Sequence, residues 1–243
     1  MRAMRFKKHF LAVCALFLLT SCEYVSPLIQ DANIISVTDE VQAGKQMQAE
    51  IAKSMTIVTD PALNNAVKTI GNRLVSVLPN KDFDYQFYVV GDNSPNAFTI
   101  PGGSIYVHTG LMQFVSDEHE LAGVLAHEIG HAYERHPAKS MTRQIGLSQL
   151  ANRVGANSNV IKQMALKVAG TGALNYYGRS DETESDRIGF ELLRRAGYRQ
   201  DGLTRFLQKL TKLQTGQQTP TFLSSHPPTP ERIAALEALS KKS

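Results

Sequence analysis

The run His127-Glu128-Ile129-Gly130-His131 constrains this chain more than any other feature. It reads HExxH, a spacing that gains meaning on a helix, where residues four apart stand one above the other on one face. Both imidazoles then reach a single cation, and Glu128 points toward whatever else that cation holds. Two neutral nitrogens and a carboxylate beside an open coordination position suit Zn²⁺ and the activation of a water. The same short pattern also arises by accident among seven histidines, so the flanks and a third ligand matter.

The flanks favour a helix. Asp117 is placed as its N-cap with Glu120 three residues on, and acids in the first turn suit the helix dipole. Leu121, Val124, Leu125, Ile129 and Ala132 keep the 3.6-residue period. Pro137 is expected to close the element just after His136.

The N-terminus reads differently from the rest of the 243 residues. Arg2, Arg5, Lys7 and Lys8 precede an apolar stretch over 10–19 that is too short to span a bilayer comfortably. Leu19-Thr20-Ser21-Cys22 then resembles the bacterial lipobox, which implies cleavage before Cys22 and lipidation of its thiol. A plain secretory signal or an uncleaved anchor is the alternative. The expected division is a signal peptide over 1–21, a lipidated tether over 22–40 and a single domain over 41–243. Cys14 would be removed and Cys22 acylated, leaving no thiol for a disulfide. Glu23, where an aspartate would resemble an inner-membrane retention signal, favours the outer membrane of a Gram-negative-type envelope, with the domain on the periplasmic face.

Charge points the same way. The net charge is +4, but taking those four N-terminal bases from 26 leaves 22 against 22 acids, so nothing supports nucleic-acid binding. No other stretch approaches the apolar length of a membrane span.

Helices are expected over 38–55 and over 60–78, the second opening on Asp60-Pro61. A strand follows over 85–90, then two more over 97–100 and 104–108 joined by Pro101-Gly102-Gly103. Between Arg135 and Ser180 there is no acidic residue, while Lys139, Arg143, Arg153, Lys162 and Lys167 are basic. Two helices, over 140–155 and 159–169, are expected there, packed loosely; a solvated basic face is the leading reading, a lid or membrane-facing surface the other. Helices resume over 181–196, 201–214 and 229–240, the last with Thr229 as N-cap and Pro230 at N1. The expected class is α+β, mostly helical, with a small β-sheet or hairpin flanking the HExxH helix.

A hydrolytic zinc site needs a third protein ligand. Gly and His at 134 and 137 would continue a metzincin motif, but Glu134 and Pro137 stand there. The acid-free stretch removes any glutamate some twenty residues downstream. The first acids beyond it are Asp181, Glu182, Glu184 and Asp186. Glu182 and Asp186 share a helix face, so one carboxylate can bind a metal while the other supports a ligand histidine. Spacing alone leaves this open against a solvated acidic first turn.

HExxH followed some fifty residues on by ExxxD resembles the gluzincin metallopeptidases related to the CAAX prenyl protease and HtpX. The lipoprotein signal is similar to that of their periplasmic outer-membrane branch. The resemblance implies a zincin-type domain holding one Zn²⁺, with His127, His131 and Glu182 as ligands, Glu128 as catalytic base and Asp186 supporting a ligand histidine. Glu184 is the runner-up ligand, and Ser185 stands where alanine is common. Residues 96–107 resemble the family's strand-turn-strand. There Asn96, Ala97, Phe98, Gly102 and Gly103 would form an edge on which an extended peptide pairs, or only a structural hairpin. His226-Pro227 resembles a C-terminal histidine-proline motif, which implies that His226 steadies the transition-state oxyanion or blocks the open position at rest. His108, His119 and His136 are read as structural or exposed. The implied activity is a membrane-tethered zinc endopeptidase acting on exposed or misfolded envelope polypeptides, its partners being those chains and, through Cys22, the lipid bilayer. Two rivals remain: an envelope chaperone or assembly factor with a latent zinc site, and a zinc amidase acting on cell-wall peptides.

Overall fold

The computed structural model describes residues 35–145, 158–171, 177–213 and 220–241. The signal segment, Cys22, most of the tether and the second half of the helix expected over 140–155 lie outside them.

Two capped helices open the fold. Helix α1 (Val37–Ser54) has Ser36 accepting from Asp39 N, and α2 (Pro61–Ser76) has Asp60 accepting from Leu63 N with Pro61 at its first position. Strands β1 (Gln86–Val90), β2 (Ala97–Ile100) and β3 (Ser104–His108) form one sheet in the order β1-β3-β2, with β1 parallel and β2 antiparallel to β3. Gly102 and Gly103, at φ 80° and 86°, take the left-handed conformation that the β2–β3 turn requires. A short helix α3 (Thr109–Phe114) leads to α4 (Glu118–Tyr133), which carries the HExxH run. Then come α5 (His136–Ile145), α6 (Ser158–Thr171), α7 (Arg179–Ala196), α8 (Gly202–Leu213), the short α9 (Thr221–Ser225) and α10 (Pro230–Ser240).

The sheet alternates side chains between two cores, as its period of two dictates. Phe87, Val89, Ile105 and Val107 face the larger one, with Val67, Ile70 and Leu74 of α2, Leu125 and Ile129 of α4, Leu192 of α7 and Phe206 of α8. Phe98, Ile100 and Tyr106 face the other, which α1 closes with Ala43, Met47 and Ile51. Here α6 departs from its expected loose packing. Ile161, Met164, Ala165 and Val168 are buried in that second core, while Lys162 and Lys167 stay exposed.

The HExxH helix ends earlier than Pro137 suggested. Glu134 terminates α4, Arg135 takes a left-handed φ of 58°, and Pro137 lies in the first turn of α5, where its missing N–H costs nothing. Arg135 is thereby aimed back at α1. Its Nε donates to the buried Glu40 at 2.7 Å and its Nη2 to the carbonyl of Ile35 at 2.5 Å. Ile35 and Glu40, both inside the stretch expected as tether, are buried.

Helices α4 and α7 cross at very short range. A Cβ on Gly130 would come within 2.9 Å of the Ser185 carbonyl oxygen, and one on Gly189 within 3.1 Å of the backbone at Ala126 and His127. Gly130→Ala would stabilise an open helix by roughly 1 kcal/mol through propensity. Here it should instead lower the thermal midpoint, because backbone must shift; a rise in midpoint would contradict this crossing.

The start of α4 is fixed from outside. Asp117 accepts from the N–H groups of His119 and Glu120 and pairs with Arg205 of α8 at 2.9 Å. The Arg205 guanidinium holds its carboxyl at about 2, against an ordinary 3.8. A depressed carboxylate stabilises the fold above its ordinary value and loses that effect as pH falls through the folded value. At 36% exposure solvent screening keeps the contribution below about 1 kcal/mol. Denaturant titrations should show Asp117→Asn less stable than wild type at pH 6, with the gap closing between pH 4 and 2.

Candidate metal centre

Helix α4 is buried along its whole core-facing length, and His127, Glu128 and His131 are each 0% exposed. The i, i+4 spacing brings His127 Nε2 and His131 Nε2 to 3.0 Å. From α7, entering across the Gly130–Ser185 contact, Glu182 Oε1 comes to 3.4 Å from His131 Nε2 and its Oε2 to 3.5 Å from His127 Nε2. The loop after α9 delivers His226, whose Nδ1 is 3.0 Å from Glu182 Oε1 and 3.3 Å from His127 Nε2. One donor atom from each of these four side chains lies within 4.8 Å of the others, and all four are buried.

This donor set fits a metal ion. Three imidazoles and one carboxylate suit Zn²⁺ or a similar transition ion; Ca²⁺ and Mg²⁺ prefer all-oxygen sites. Electrostatics agree. Burial alone would raise Glu182, but the imidazoles of His226, His127 and His131 hold it well below the usual carboxylate range. Burial likewise pushes down on His127, but Asp186 and Glu182 outweigh it and raise that imidazole to about 9. His131 goes the other way: burial, with the His127 and His226 imidazoles, outweighs Glu182 and holds it well below an ordinary histidine. The cluster thus keeps the buried Glu182 carboxylate ionised among imidazoles, and a cation bound there would take the place of the His127 ring proton.

Further residues orient these groups. Asp186 Oδ1 lies 3.0 Å from His127 Nδ1, and Arg232 of α10 grips Asp186 in bidentate fashion at 2.7 and 2.8 Å. Arg232 also contacts Glu182 Oε2 and donates to the carbonyl of Pro227 at 3.0 Å, beside His226. Thr99 of β2 donates to Glu128 Oε2 at 2.7 Å, leaving Oε1 turned toward His226 Nε2 at 3.4 Å. Tyr177 stacks on His131 with ring centroids 3.9 Å apart. Burial, with the Glu128 and Glu182 carboxylates nearby, pushes its phenol well above the usual tyrosine range.

Of the residues singled out in the sequence, His127, Glu128, His131, Glu182, Asp186 and His226 are brought together. Glu184 is not: it turns outward, 3.3 Å from His136 Nε2 and 39% exposed, because it lies two positions, about 200° of helix, from Glu182. Ala97, Phe98 and Asn96 lie on or beside β2, at one edge of the sheet and buried. His136, read as structural or exposed, is buried with its Nδ1 2.9 Å from His131 Nδ1. His108 is buried against Ser94 at 2.9 Å, and His119 lies near Arg199 N at 3.4 Å. Sequence reasoning missed Thr99, Tyr177 and the role of Arg232. A signal existed only for Arg232, which follows His226-Pro227 at a short interval.

Among the described residues no helix is long and apolar enough to cross a membrane. The beta-barrel assembly-enhancing protease of Yersinia pestis is 32% identical over 212 residues, covering 82% of this chain and 43% of that protein. The chain therefore spans less than half of that relative's length. Metalloprotease LoiP of Escherichia coli is 31% identical over 213 residues, covering 84% of this chain and 79% of LoiP. Metalloprotease YcaL of the same species is 29% identical over 217 residues, covering 86% of this chain and 80% of YcaL. The model of peptidase family M48 matches residues 61–240, a span holding every side chain of the buried cluster, and the chain belongs to that family.

Proposed function

We propose that this chain is a zinc-dependent endopeptidase. The observation that carries the reading is the meeting of His127, His131 and Glu182 in one buried cluster with the carboxylate of Glu128 beside it. Zinc held by those three side chains would polarise a scissile carbonyl and lower the pKa of water toward ~7. Glu128, held on one oxygen by Thr99, takes the proton of the attacking water on its other oxygen and passes it to the leaving amine. His226, with Nδ1 toward Glu182 and Nε2 toward Glu128, would block the fourth position at rest and, turned off the metal, would instead steady the oxyanion.

Substrate reading follows from β2. Its side chains are buried, so an extended polypeptide pairing along this edge, from Asn96 to the Gly102-Gly103 turn, would be read through backbone. Such pairing tolerates many sequences and suits exposed or misfolded envelope proteins. The names of the relatives, a beta-barrel assembly-enhancing protease among them, support an envelope setting. The lipobox-like Leu19-Thr20-Ser21-Cys22 supports a lipid anchor at Cys22, on the periplasmic face of an outer membrane.

Metal analysis and casein digestion of the full chain test this reading. Glu128→Gln should keep its zinc and lose hydrolysis by about 10²- to 10⁴-fold; casein cleavage at the wild-type rate would end the mechanism. Glu182→Ala should lose zinc on dialysis, and full occupancy there would move the third ligand elsewhere. Peptidoglycan fragments should remain intact with wild type, and their cleavage would favour the amidase. Envelope function surviving in Glu128→Gln would favour the chaperone.

A further inference from the structure

His131 presents Nε2 to the cluster, and its other nitrogen lies 2.9 Å from Nδ1 of His136. A nitrogen offered to a cation must carry a lone pair, so the ring proton of neutral His131 sits on Nδ1. His136 Nδ1 then accepts that proton's hydrogen bond, and the proton of His136 is forced onto Nε2. That Nε2 faces Glu184 Oε2 at 3.3 Å and Asp181 Oδ1 at 3.6 Å. Asp181 is engaged elsewhere, its Oδ2 accepting from Arg143 at 2.8 Å and from Gly178 N at 3.1 Å. Glu184 is thus the nearer carboxylate for His136, with Lys139 Nζ 3.9 Å away as its only other ion-pair contact among the described residues.

We propose that His136, backed by Glu184, is a positioning residue that fixes the tautomer and ring plane of His131 as a metal ligand. The inference rests on the zinc reading above and adds a role for two residues outside the cluster. It makes the two HExxH histidines unequal. His127 leans on a carboxylate that Arg232 neutralises, whereas His131 leans on an imidazole that passes the hydrogen bond to a half-exposed glutamate. The short reach from α4 to α5 makes this possible. The left-handed Arg135 turns the chain so that His136, five residues after His131, returns beneath it.

The test measures the zinc dissociation constant of the full chain by chelator competition and the visible spectrum of its Co²⁺ form. His136→Ala should weaken zinc binding 10- to 100-fold, as loss of a ligand histidine's partner typically does. His136→Asn, whose side-chain carbonyl can accept from His131, should recover most of that loss. Glu184→Ala, at a half-exposed site, should weaken zinc several-fold and shift the Co²⁺ spectrum without lowering the metal-free melting midpoint. Should His136→Ala fail to fold, Glu184→Ala and His136→Asn decide. Wild-type affinity and spectrum in Glu184→Ala, or no recovery in His136→Asn, would overturn the relay. Failure of the wild type to bind zinc at all would overturn the zinc reading and the relay with it.

Discussion

The close crossing of α4 and α7 is the constraint on which the rest of this structure depends. Two imidazoles on one helix are only part of the buried cluster, and its carboxylate comes from a segment about fifty residues away. It arrives within reach because the facing positions, Gly130 and Gly189, have no side chain to hold the backbones apart. Ordinary helix pairs pack 8–10 Å axis to axis, with the separation set by the side chains at the contact. Removing those side chains lets Glu182 and Asp186 engage opposite nitrogens of His127 without stretching. Ser185 belongs to the same logic, since its backbone lies directly over Gly130.

Such a junction gathers charge in a dry interior, and the protein answers it with structure from its C-terminus. Arg232 faces both α7 carboxylates and also grips the carbonyl after His226. Burying a guanidinium is costly unless its donors find acceptors, and here three groups supply them. The last helix is therefore part of the centre although none of its residues is among the four that make up the cluster. The loop carrying His226 and the acids from α7 are held by the same side chain.

Much of this was legible in sequence, for physical reasons that differ by residue. The α4 helix announced itself through local effects, namely Asp117 as cap, acids in the first turn and apolar residues at helical period. The acid-free stretch narrowed the choice to the acids over 181–186, but spacing left them open against a solvated first turn, and only the family resemblance singled out Glu182 and Asp186. Pro137 misled because proline both stops one helix and starts another, and only the φ of Arg135 tells which has happened. Thr99 and Tyr177 were invisible, since a hydroxyl on a strand and a ring before a helix carry no mark of a partner dozens of residues distant. Short helices such as α3 and α9 run too briefly for periodicity to show.

The clasp between Arg135 and the beginning of α1 has a mechanical consequence. Ile35 and Glu40 are joined to Arg135, just past the end of the histidine-bearing helix, so the start of α1 and the buried cluster share one strut. Traction applied upstream of Ile35 would bear first on that strut, and through it on the bend that sets His136 beneath His131. Were the chain held at Cys22 as proposed, tension would register at the heart of the molecule before it loosened the periphery.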